Sequence, residues 1–310
     1  RFGDSFCGSG SIPFEAARMG CDVYAADLNP IACMLTWGAM NIIGASAADR
    51  AKYEDAQREV TLEVDIQLRE LGVEHDDHGN RAKAFLYCVE TTCPQTGWSV
   101  PMLPSRVISP KNGAIAVLYP DHQNKRFDIE VINGVSAEEL KSAERGTVVD
   151  GALVYELDGK TWRTNIKTLR GDYRTPEGET GNDLRQWGKD DFTPREDDLF
   201  RERLYAVQWI TKETEYAPRQ KTFFESVTDE DLKREAKIEN LVQQNLKAWQ
   251  EAGYIPDMEI DRGAKTDEPI RTRGWTCWHH LFNPRQLLLQ ALASKSWRQK
   301  SGANLGWLNI

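Results

Sequence analysis

Near the start of the chain, Asp4-Ser5-Phe6-Cys7-Gly8-Ser9-Gly10-Ser11 contains two closely spaced glycines and leads into a helix-like segment. Gly8 and Gly10 permit backbone angles and close approaches that a side chain would block. A helix that begins near Ser11 would point free N–H groups towards a ligand. A glycine-rich turn that leads into a helix therefore predicts a site for a nucleotide-containing cofactor.

An acid follows this turn at a short distance. Asp22–Ala26 predicts a short buried strand that ends at Asp27, 19 positions after Gly8. At the carboxyl end of a strand in an α/β sheet, a carboxylate can accept hydrogen bonds from both ribose hydroxyls. The spacing also fits a dinucleotide-binding fingerprint, although Pro13 stands where the third glycine of that fingerprint belongs. An ordinary tight turn beside a buried strand is the alternative interpretation.

Both motifs resemble those of a known enzyme family. Asp4–Ser11 resembles the first motif of the amino-DNA methyltransferases, and Ala26–Pro30 resembles their second motif. The chain is similar over a greater length to the large adenine-specific DNA methylases that carry a zinc-ribbon insertion, including members linked to anti-phage defence. This similarity extends through Tyr87–Pro94, Arg271–Trp275 and Phe282–Gln286.

The resemblance implies a fold and a cofactor. The fold would be of the α/β class: a partial Rossmann-like S-adenosylmethionine methyltransferase fold with a β-rich inserted module and a helical C-terminal part. The first motif would bind the methionine end of S-adenosylmethionine, Asp27 would hold the ribose, and Leu28 and Asn29 would flank the adenine. Ser5 replaces the usual proline of the family, which removes rigidity from the turn but no ligand. The implied cofactor-binding residues are Asp4, Phe6, Cys7, Gly8, Ser9, Gly10, Asp27, Leu28 and Asn29.

Changes of pattern divide the chain into three parts. Residues 1–75 are the predicted cofactor-binding part of the methyltransferase domain. Residues 80–200 contain short β-like runs separated by Gly, Pro and Asn, which predict a β-rich insertion of a degenerate zinc-ribbon type. Its last part, Leu169–Asp198, is charged and predicts an extended linker. Residues 201–310 are predicted to be a helical segment that returns to the methyltransferase and DNA-binding region, with Arg201–Ile210 as a strand or a short helix.

Several helices have clear sequence signals. Ala47–Leu71 carries apolar residues at steps of four and three with charges between them, which predicts an amphipathic helix. Pro30–Ile43 is apolar and predicts a helix packed on the sheet. Thr228 with an acid three positions later is typical of a capping box, and Asn283 before Pro284 predicts the start of the last helix.

Two groups of residues are candidates for metal binding. Cys88 and Cys93 could supply half of a tetrahedral thiolate site. The resemblance implies a second cysteine pair near residues 146–157, where this chain has no cysteine. The sequence therefore favours a β-fold that has lost its zinc, with the two thiols buried or idle. Cys277–His280 contains a second cluster of possible ligands, for which an aromatic-rich structural segment is the alternative.

The C-terminal part has a local excess of positive charge. The formal net charge of the whole chain is −9, yet residues 262–300 contain eight Lys or Arg against two acids. Such cations can neutralise phosphates while aromatic rings stack on a displaced base. A solvated face with core tryptophans is the alternative. The resemblance implies double-stranded DNA as a partner, with other defence-system proteins as further candidates. The predicted DNA-binding residues are Arg271, Arg273, Trp275 and Arg285.

The sequence lacks the loop that would carry catalysis. In amino-methyltransferases this loop has two adjacent prolines followed by an aromatic residue that stacks on the flipped base, and this chain contains no Pro-Pro. Asn283-Pro284-Arg285 lacks the second proline and the aromatic residue. We therefore expect the catalytic motif to lie outside this chain, which alone would bind cofactor weakly or not at all and would be inactive.

The predicted function is that of a S-adenosylmethionine-dependent DNA amino-methyltransferase, adenine-specific at N6, of a phage-defence or restriction-modification type. Two rivals stay open. The missing loop permits a non-catalytic nucleic-acid-binding module, and the spacing of Asp27 permits an NAD-dependent oxidoreductase. Six scattered cysteines favour reduced thiols in a cytoplasm, and no apolar stretch is long enough to predict a membrane span.

Overall fold

The computed structural model describes residues 1–263 and 266–304, with side chains described as far as residue 300. In this part the chain is a mixed α/β protein whose strands pair mostly antiparallel. It divides into two compact units. The first is Arg1–Ile66 with the residues from Lys295 onward, and the second is Gln67–Ser294. Both boundaries fall inside long helices.

The first unit begins with a strand–helix–strand arrangement. β1 (Phe2–Asp4) leads through the glycine-rich turn into α1 (Ser11–Arg18). β2 (Val23–Ala25) then pairs with β1 in parallel. The predicted helix start near Ser11 and a strand before Asp27 are therefore confirmed, but the strand is not buried as predicted, since Tyr24 at its centre is 70% exposed.

Two more helices complete the described part of this unit. α2 (Pro30–Gly38) begins where the side chain of Asn29 accepts a hydrogen bond from the backbone N–H of Ile31 at 3.0 Å. α2 continues as a π-helical turn, Ala39–Ile43. α3 (Ala47–Leu71) has the predicted bounds, and its stripe of apolar residues includes the buried Val64 and Leu68.

No single helix among the described residues is long and apolar enough to cross a membrane. The bent pair formed by Pro30–Ile43 and Ala47–Leu71 meets the criteria of length and composition only when the two helices are taken together.

An extended, mostly antiparallel sheet runs through the second unit. Within the described residues its strand order is β14-β13-β3-β4-β7-β6-β5. β4 and β7 pair in parallel, through Ser99 and Arg126, whereas the other neighbours are antiparallel. The strands are β3 (Arg81–Thr92), β4 (Ser99–Met102), β5 (Val107–Ser109), β6 (Ala114–Asp121), β7 (Arg126–Ile132), β13 (Arg201–Ile210) and β14 (Thr222–Ser226).

β13 and β14 extend this sheet beyond residue 200, where the predicted insertion ends. β13 pairs with most of β3, but a β-bulge between Leu204 and Ala206 shifts the register. Because of the shift, buried residues of β13 do not alternate strictly with exposed ones. The sequence therefore left strand and helix open for Arg201–Ile210, and the structure assigns a strand.

Smaller elements lie between β7 and β13. A sheet with the order β10-β9-β8 packs Leu153, Tyr155 and Leu157 into one hydrophobic cluster with Cys93, Trp98 and Phe127. The elements are α4 (Ala137–Ala143), β8 (Val148–Val149), β9 (Ala152–Leu157), β10 (Lys160–Asn165), α5 (Ile166–Leu169), β11 (Tyr173–Arg174) and β12 (Thr180–Gly181).

The predicted linker Leu169–Asp198 has little regular structure, but charged side chains hold its last part in place. Arg185 donates hydrogen bonds to both carboxylate oxygens of Asp198, at 2.7 and 2.6 Å, and to Asp191 at 2.5 Å. Asp191 also accepts from Arg195 at 3.1 and 3.0 Å. This bidentate network fixes the chain without a helix or strand.

The remaining helices confirm two predicted starts. α6 (Asp229–Glu251) opens with a reciprocal capping box between Thr228 and Asp231. α8 (Pro284–Asn304) opens with reciprocal hydrogen bonds between Asn283 and Gln286, at 3.0 and 2.9 Å. α7 (Asp267–Arg273) is short and ends at Gly274. The predicted helical character of the C-terminal part thus holds for these three helices, after the two strands β13 and β14.

Candidate cofactor site

The glycine-rich turn is anchored to the end of β2 by backbone hydrogen bonds. The N–H of Cys7 donates to the carbonyl of Ala26 at 3.0 Å, and the N–H of Ala26 donates to the carbonyl of Asp4 at 2.8 Å. Inside the turn, the N–H of Gly10 donates to the carbonyl of Cys7 at 2.8 Å. These bonds bring the turn and the residues after β2 to the same edge of the small parallel sheet.

Asp27 connects the two predicted cofactor motifs directly. Its Oδ2 accepts a hydrogen bond from the N–H of Gly8 at 2.9 Å, and its Oδ1 accepts from the N–H of Asn29 at 2.8 Å. The bonds from Asn29 and then Gly8 lower the pKa of the Asp27 carboxyl below its ordinary value. An ionised carboxylate has about four lone-pair sites. Asp27 therefore keeps acceptor capacity for a ligand hydroxyl.

Gly10 is required because α2 packs closely against the turn. Its φ is +81°, and a Cβ at this position would lie 2.5 Å from Oγ1 and 2.8 Å from Cα of Thr36. Thr36 is buried, and its hydroxyl donates to Sγ of Cys7 at 3.3 Å. The sequence did not single out Thr36, because a lone threonine 26 positions after Gly10 carries no recognisable spacing.

Gly8 has a different environment from Gly10. Its φ is +53°, yet a Cβ placed on it would meet no described atom within 4 Å. The adjoining Phe6 is 76% exposed, and Leu28 beside Asp27 is 92% exposed. The turn thus presents the Asp27 carboxylate and exposed apolar side chains beside open space, as a nucleoside-containing ligand requires.

The two cysteines predicted as zinc ligands occupy different hydrophobic clusters. Cys88 packs with Leu103 and Ala116, whereas Cys93 packs with Trp98 and its neighbours. Burial raises the pKa of Cys88 to about 12, so its thiol stays protonated at neutral pH. The structure does not place these two sulfurs in a common ligand set.

Cys277, His279 and His280 lie together, with one possible ligand atom of each within 4.8 Å of the others. The ring nitrogens of the two histidines, however, already have hydrogen-bond partners. Nδ1 of His280 accepts from the N–H groups of Thr276 and Cys277, both at 3.1 Å, and Nε2 donates to the carbonyl of Gly188 at 3.1 Å. Metal binding to His280 would require the loss of these hydrogen bonds.

His279 is held in the same way. Its Nε2 donates to the carbonyl of Asp191 at 3.2 Å, and its Nδ1 accepts from Gln250 at 3.4 Å. Burial lowers the pKa of both histidines, that of His280 to about 4. Both rings are therefore neutral and satisfied, which supports the structural interpretation of this segment.

The predicted DNA-binding residues lie in different environments. Arg271 is exposed. Arg273 lies over the rings of Phe200 and Trp275, at 5.4 and 5.7 Å, and burial lowers its pKa. Trp275 is half-buried and packs edge to face on Trp187. Of the four residues, Arg271 is the one whose charge faces solvent most fully.

Arg285, the fourth of them, is occupied within the protein. It pairs with Glu235, donates to the carbonyl of Val73 at 2.9 Å, and stacks over the ring of Phe85 at 3.5 Å. Its side chain is only 12% exposed. This guanidinium supports the fold in the structure and is not presented to a phosphate.

The second unit also contains a cleft of about 370 Å³ that the sequence did not indicate. Tyr87, Glu202, Glu235 and Glu239 line it together with arginines of β13. Burial raises the pKa of Glu202 and of Glu239. Because these residues come from β3, β13 and α6, no local motif could have grouped them.

Comparisons with known proteins add no relative: no family model, no curated protein and no solved structure matches this chain.

Proposed function

We propose that the first unit carries the S-adenosylmethionine site of a DNA amino-methyltransferase that modifies adenine at N6. The observation that carries the proposal is the hydrogen bond between the Gly8 N–H and the Asp27 carboxylate, within a parallel β1–α1–β2 unit. It joins the glycine-rich turn to the acid that follows the second strand, the two elements that a nucleoside cofactor needs. The finer fold proposed for this unit is the first part of a Rossmann-like methyltransferase domain.

Different residues of the site would contact different parts of the cofactor. Asp27 would accept hydrogen bonds from the ribose hydroxyls, and the exposed Leu28 would cover one face of the adenine. Cys7, Gly8 and Gly10 would line the methionine end. Bound S-adenosylmethionine supplies an electrophilic methyl group. The protein's contribution would be to hold that group in line with the target amine, so that positioning provides most of the rate enhancement.

An NAD-dependent oxidoreductase is less compatible with the same turn. Pro13 occupies the position of the third glycine of the dinucleotide fingerprint, and it is buried in α1. The third glycine normally lets the helix approach the strand closely. With proline there, the turn suits a cofactor with one nucleoside better than one with a pyrophosphate bridge.

Double-stranded DNA is the proposed partner, with Arg271 as its most accessible cation and with Arg273 and Trp275 beside it. The charge of an exposed arginine can neutralise a phosphate without breaking an internal contact. Arg285 is left out of the proposed interface because of its bonds to Glu235 and Val73. The parts proposed from the sequence are the cofactor-binding part at 1–75, the insertion at 80–200 and the returning segment at 201–310.

A binding experiment on the whole chain tests the proposal. Backbone amide shifts in NMR spectra report even weak binding, and S-adenosylhomocysteine is expected to shift Gly8, Gly10 and Asn29 whereas NAD is not. Asp27→Asn should weaken this binding at least about tenfold, since a charged hydrogen-bond acceptor is lost. Asp22→Asn removes the same charge before β2 and should have no effect. Equal binding by both variants, or shifts with NAD alone, would overturn the proposal.

A further inference from the structure

A tight turn follows β3, at the position where the resemblance implies a zinc ligand. Cys93 is completely buried, and its N–H donates to the carbonyl of Trp98 at 2.8 Å. Its carbonyl accepts from the N–H groups of Thr96, at 3.3 Å, and Gly97, at 2.8 Å. Cys93 belongs to a hydrophobic cluster with Trp98 and Phe127, and Thr96, three positions later in the turn, is half-buried.

The hairpin β9–β10 supplies two more side chains at this point. Tyr155 of β9 pairs with Trp162 of β10 in the antiparallel register, so Tyr155 and Thr164 lie on the same face of the hairpin. The hydroxyl groups of Tyr155 and Thr96 are 2.6 Å apart. The hydroxyl of Thr164 lies 3.7 Å from Sγ of Cys93. Four polar side chains thus meet in an otherwise apolar interior.

These four side chains do not form a zinc site. A structural zinc ion takes four thiolate or imidazole ligands, whereas this group offers one thiol and three neutral hydroxyls. Cys88 cannot complete the set, because it packs in another hydrophobic cluster. The hydroxyls instead bond to one another and to the sulfur, which satisfies groups that would otherwise be buried without partners.

Aromatic packing surrounds the group and links the same two elements. Trp98, after the turn, lies 5.3 Å from the ring of Phe127, which lies 5.7 Å edge to face from Tyr155. All three rings are buried. The turn and the hairpin are thus joined by apolar contacts as well as by hydrogen bonds, which is the kind of core that a metal ion replaces in smaller modules.

We propose that the hydrogen-bonded group of Cys93, Thr96, Tyr155 and Thr164 takes the place of a structural zinc ion, so that the β-rich module folds and stays folded without metal. In a zinc-dependent module the free energy of metal binding is part of the free energy of folding, and chelators unfold it. Here the connection between turn and hairpin is intrinsic to the chain. The inference is independent of the cofactor proposed for the first unit.

Metal dependence gives the first test. The purified whole chain should show the same thermal unfolding with a chelator, without one and with added Zn²⁺. If stoichiometric zinc is found, is lost in Cys93→Ser, and its removal lowers the unfolding temperature, the proposal is overturned. Zinc lost in Cys277→Ser but kept in Cys93→Ser would belong to the other cluster and leaves the module metal-free, as expected.

A double-mutant cycle tests the hydrogen-bonded group itself. Thr96→Val and Tyr155→Phe remove the two hydroxyls with little change in volume, and their effects on the unfolding equilibrium should be coupled by roughly fivefold, the usual strength of one hydrogen bond. Thr161→Val, on the exposed side of β10, is the matched control and should act additively with Tyr155→Phe. Additive effects of Thr96→Val and Tyr155→Phe would contradict the proposed link.

Discussion

The glycine-rich turn at residues 4–11 and the contact between residues 185–191 and 274–280, here called the junction, differ in how their polar groups are satisfied. In the junction, His279 and His280 bond to backbone carbonyls, and Arg185 is surrounded by carboxylates. Beside the turn, Asp27 keeps acceptor capacity, and open space lies on the side of Gly8 where a Cβ would point. A group satisfied inside the protein contributes to structure, whereas one beside open space is available to a ligand.

Two glycines, Gly274 in the junction and Gly10 in the turn, have a positive φ and are closely packed. Gly274 has a φ of +76°, and a Cβ there would lie 2.0 Å from the carbonyl oxygen of Arg185. Gly274→Ala should therefore destabilise the second unit by about 4 kcal/mol, as strained backbone and overpacking add. Gly10→Ala should destabilise the first unit by about 3 kcal/mol, because the added Cβ would clash with Thr36. Hydrogen exchange, read for each unit separately, measures both losses.

Gly8→Ala is the control for this series. It has the same sign of φ but no described atom within 4 Å of the added Cβ, so only backbone strain of about 1 kcal/mol is expected. An effect of Gly8→Ala as large as that of Gly10→Ala would show that the turn is as closely packed at Gly8 as it is at Gly10. The turn would then not differ from the junction in bordering open space at Gly8.

Acid should weaken the junction selectively. Burial, and then the repulsion that a protonated His279 would exert, lowers the folded-state pKa of His280 from 6.5 to about 4. The folded state therefore binds fewer protons than the unfolded state between these values. The stability from neutral His280 is complete above pH 6.5 and falls by about 3 kcal/mol as the pH drops to 4. Denaturant unfolding of the whole chain at several pH values measures the slope.

His279, whose pKa burial also lowers from 6.5, adds to the loss below that pH, whereas Asp191 and its neighbour Asp198 act in a lower range. Asp191 and Asp198 face Arg185, and although burial opposes the shift, their hydrogen bonds to Arg185 keep both carboxyl pKa values below 3.8. Their contribution is therefore lost only below that pH. His280→Gln should flatten the slope between pH 6.5 and 4, whereas His78→Gln at an exposed site should leave it unchanged. An unchanged slope in His280→Gln would contradict the assigned cause.

Local signals predicted much of the fold. The bounds of α3 and the starts of α6 and α8 follow from apolar periodicity and from capping residues at Thr228 and Asn283, which act within a few positions. The bulge in β13 and the fixed course of residues 185–198 could not be predicted. They depend on partners far along the chain, such as β3, and on charged pairs that only the folded chain brings together.

Some features of the candidate site could likewise be predicted from the sequence, and others could not. The turn and Asp27 were found from their spacing, since a β–α–β unit brings such residues together by its own geometry. The contact of Gly10 with Thr36 and the occupation of Arg285 by Glu235 were not predictable. Both depend on where a later helix packs, and neither changes the composition of the local sequence.

Two arginines of the predicted DNA interface, Arg285 and Arg271, differ in the same way: the first is paired inside the protein and the second is exposed. Arg285→Ala should cost about 2 kcal/mol of stability, because it leaves the Glu235 carboxylate partly buried without its ion pair. Arg271→Ala, at an exposed position, should change stability by less than about 0.5 kcal/mol. It should instead weaken duplex DNA binding and lower the slope of log affinity against log salt by about 1. Thermal unfolding and fluorescence anisotropy at several salt concentrations separate the two effects.

If Arg285→Ala left stability unchanged and reduced DNA affinity, its guanidinium would be the phosphate ligand. Internal pairing would then not distinguish structural from binding residues in this chain.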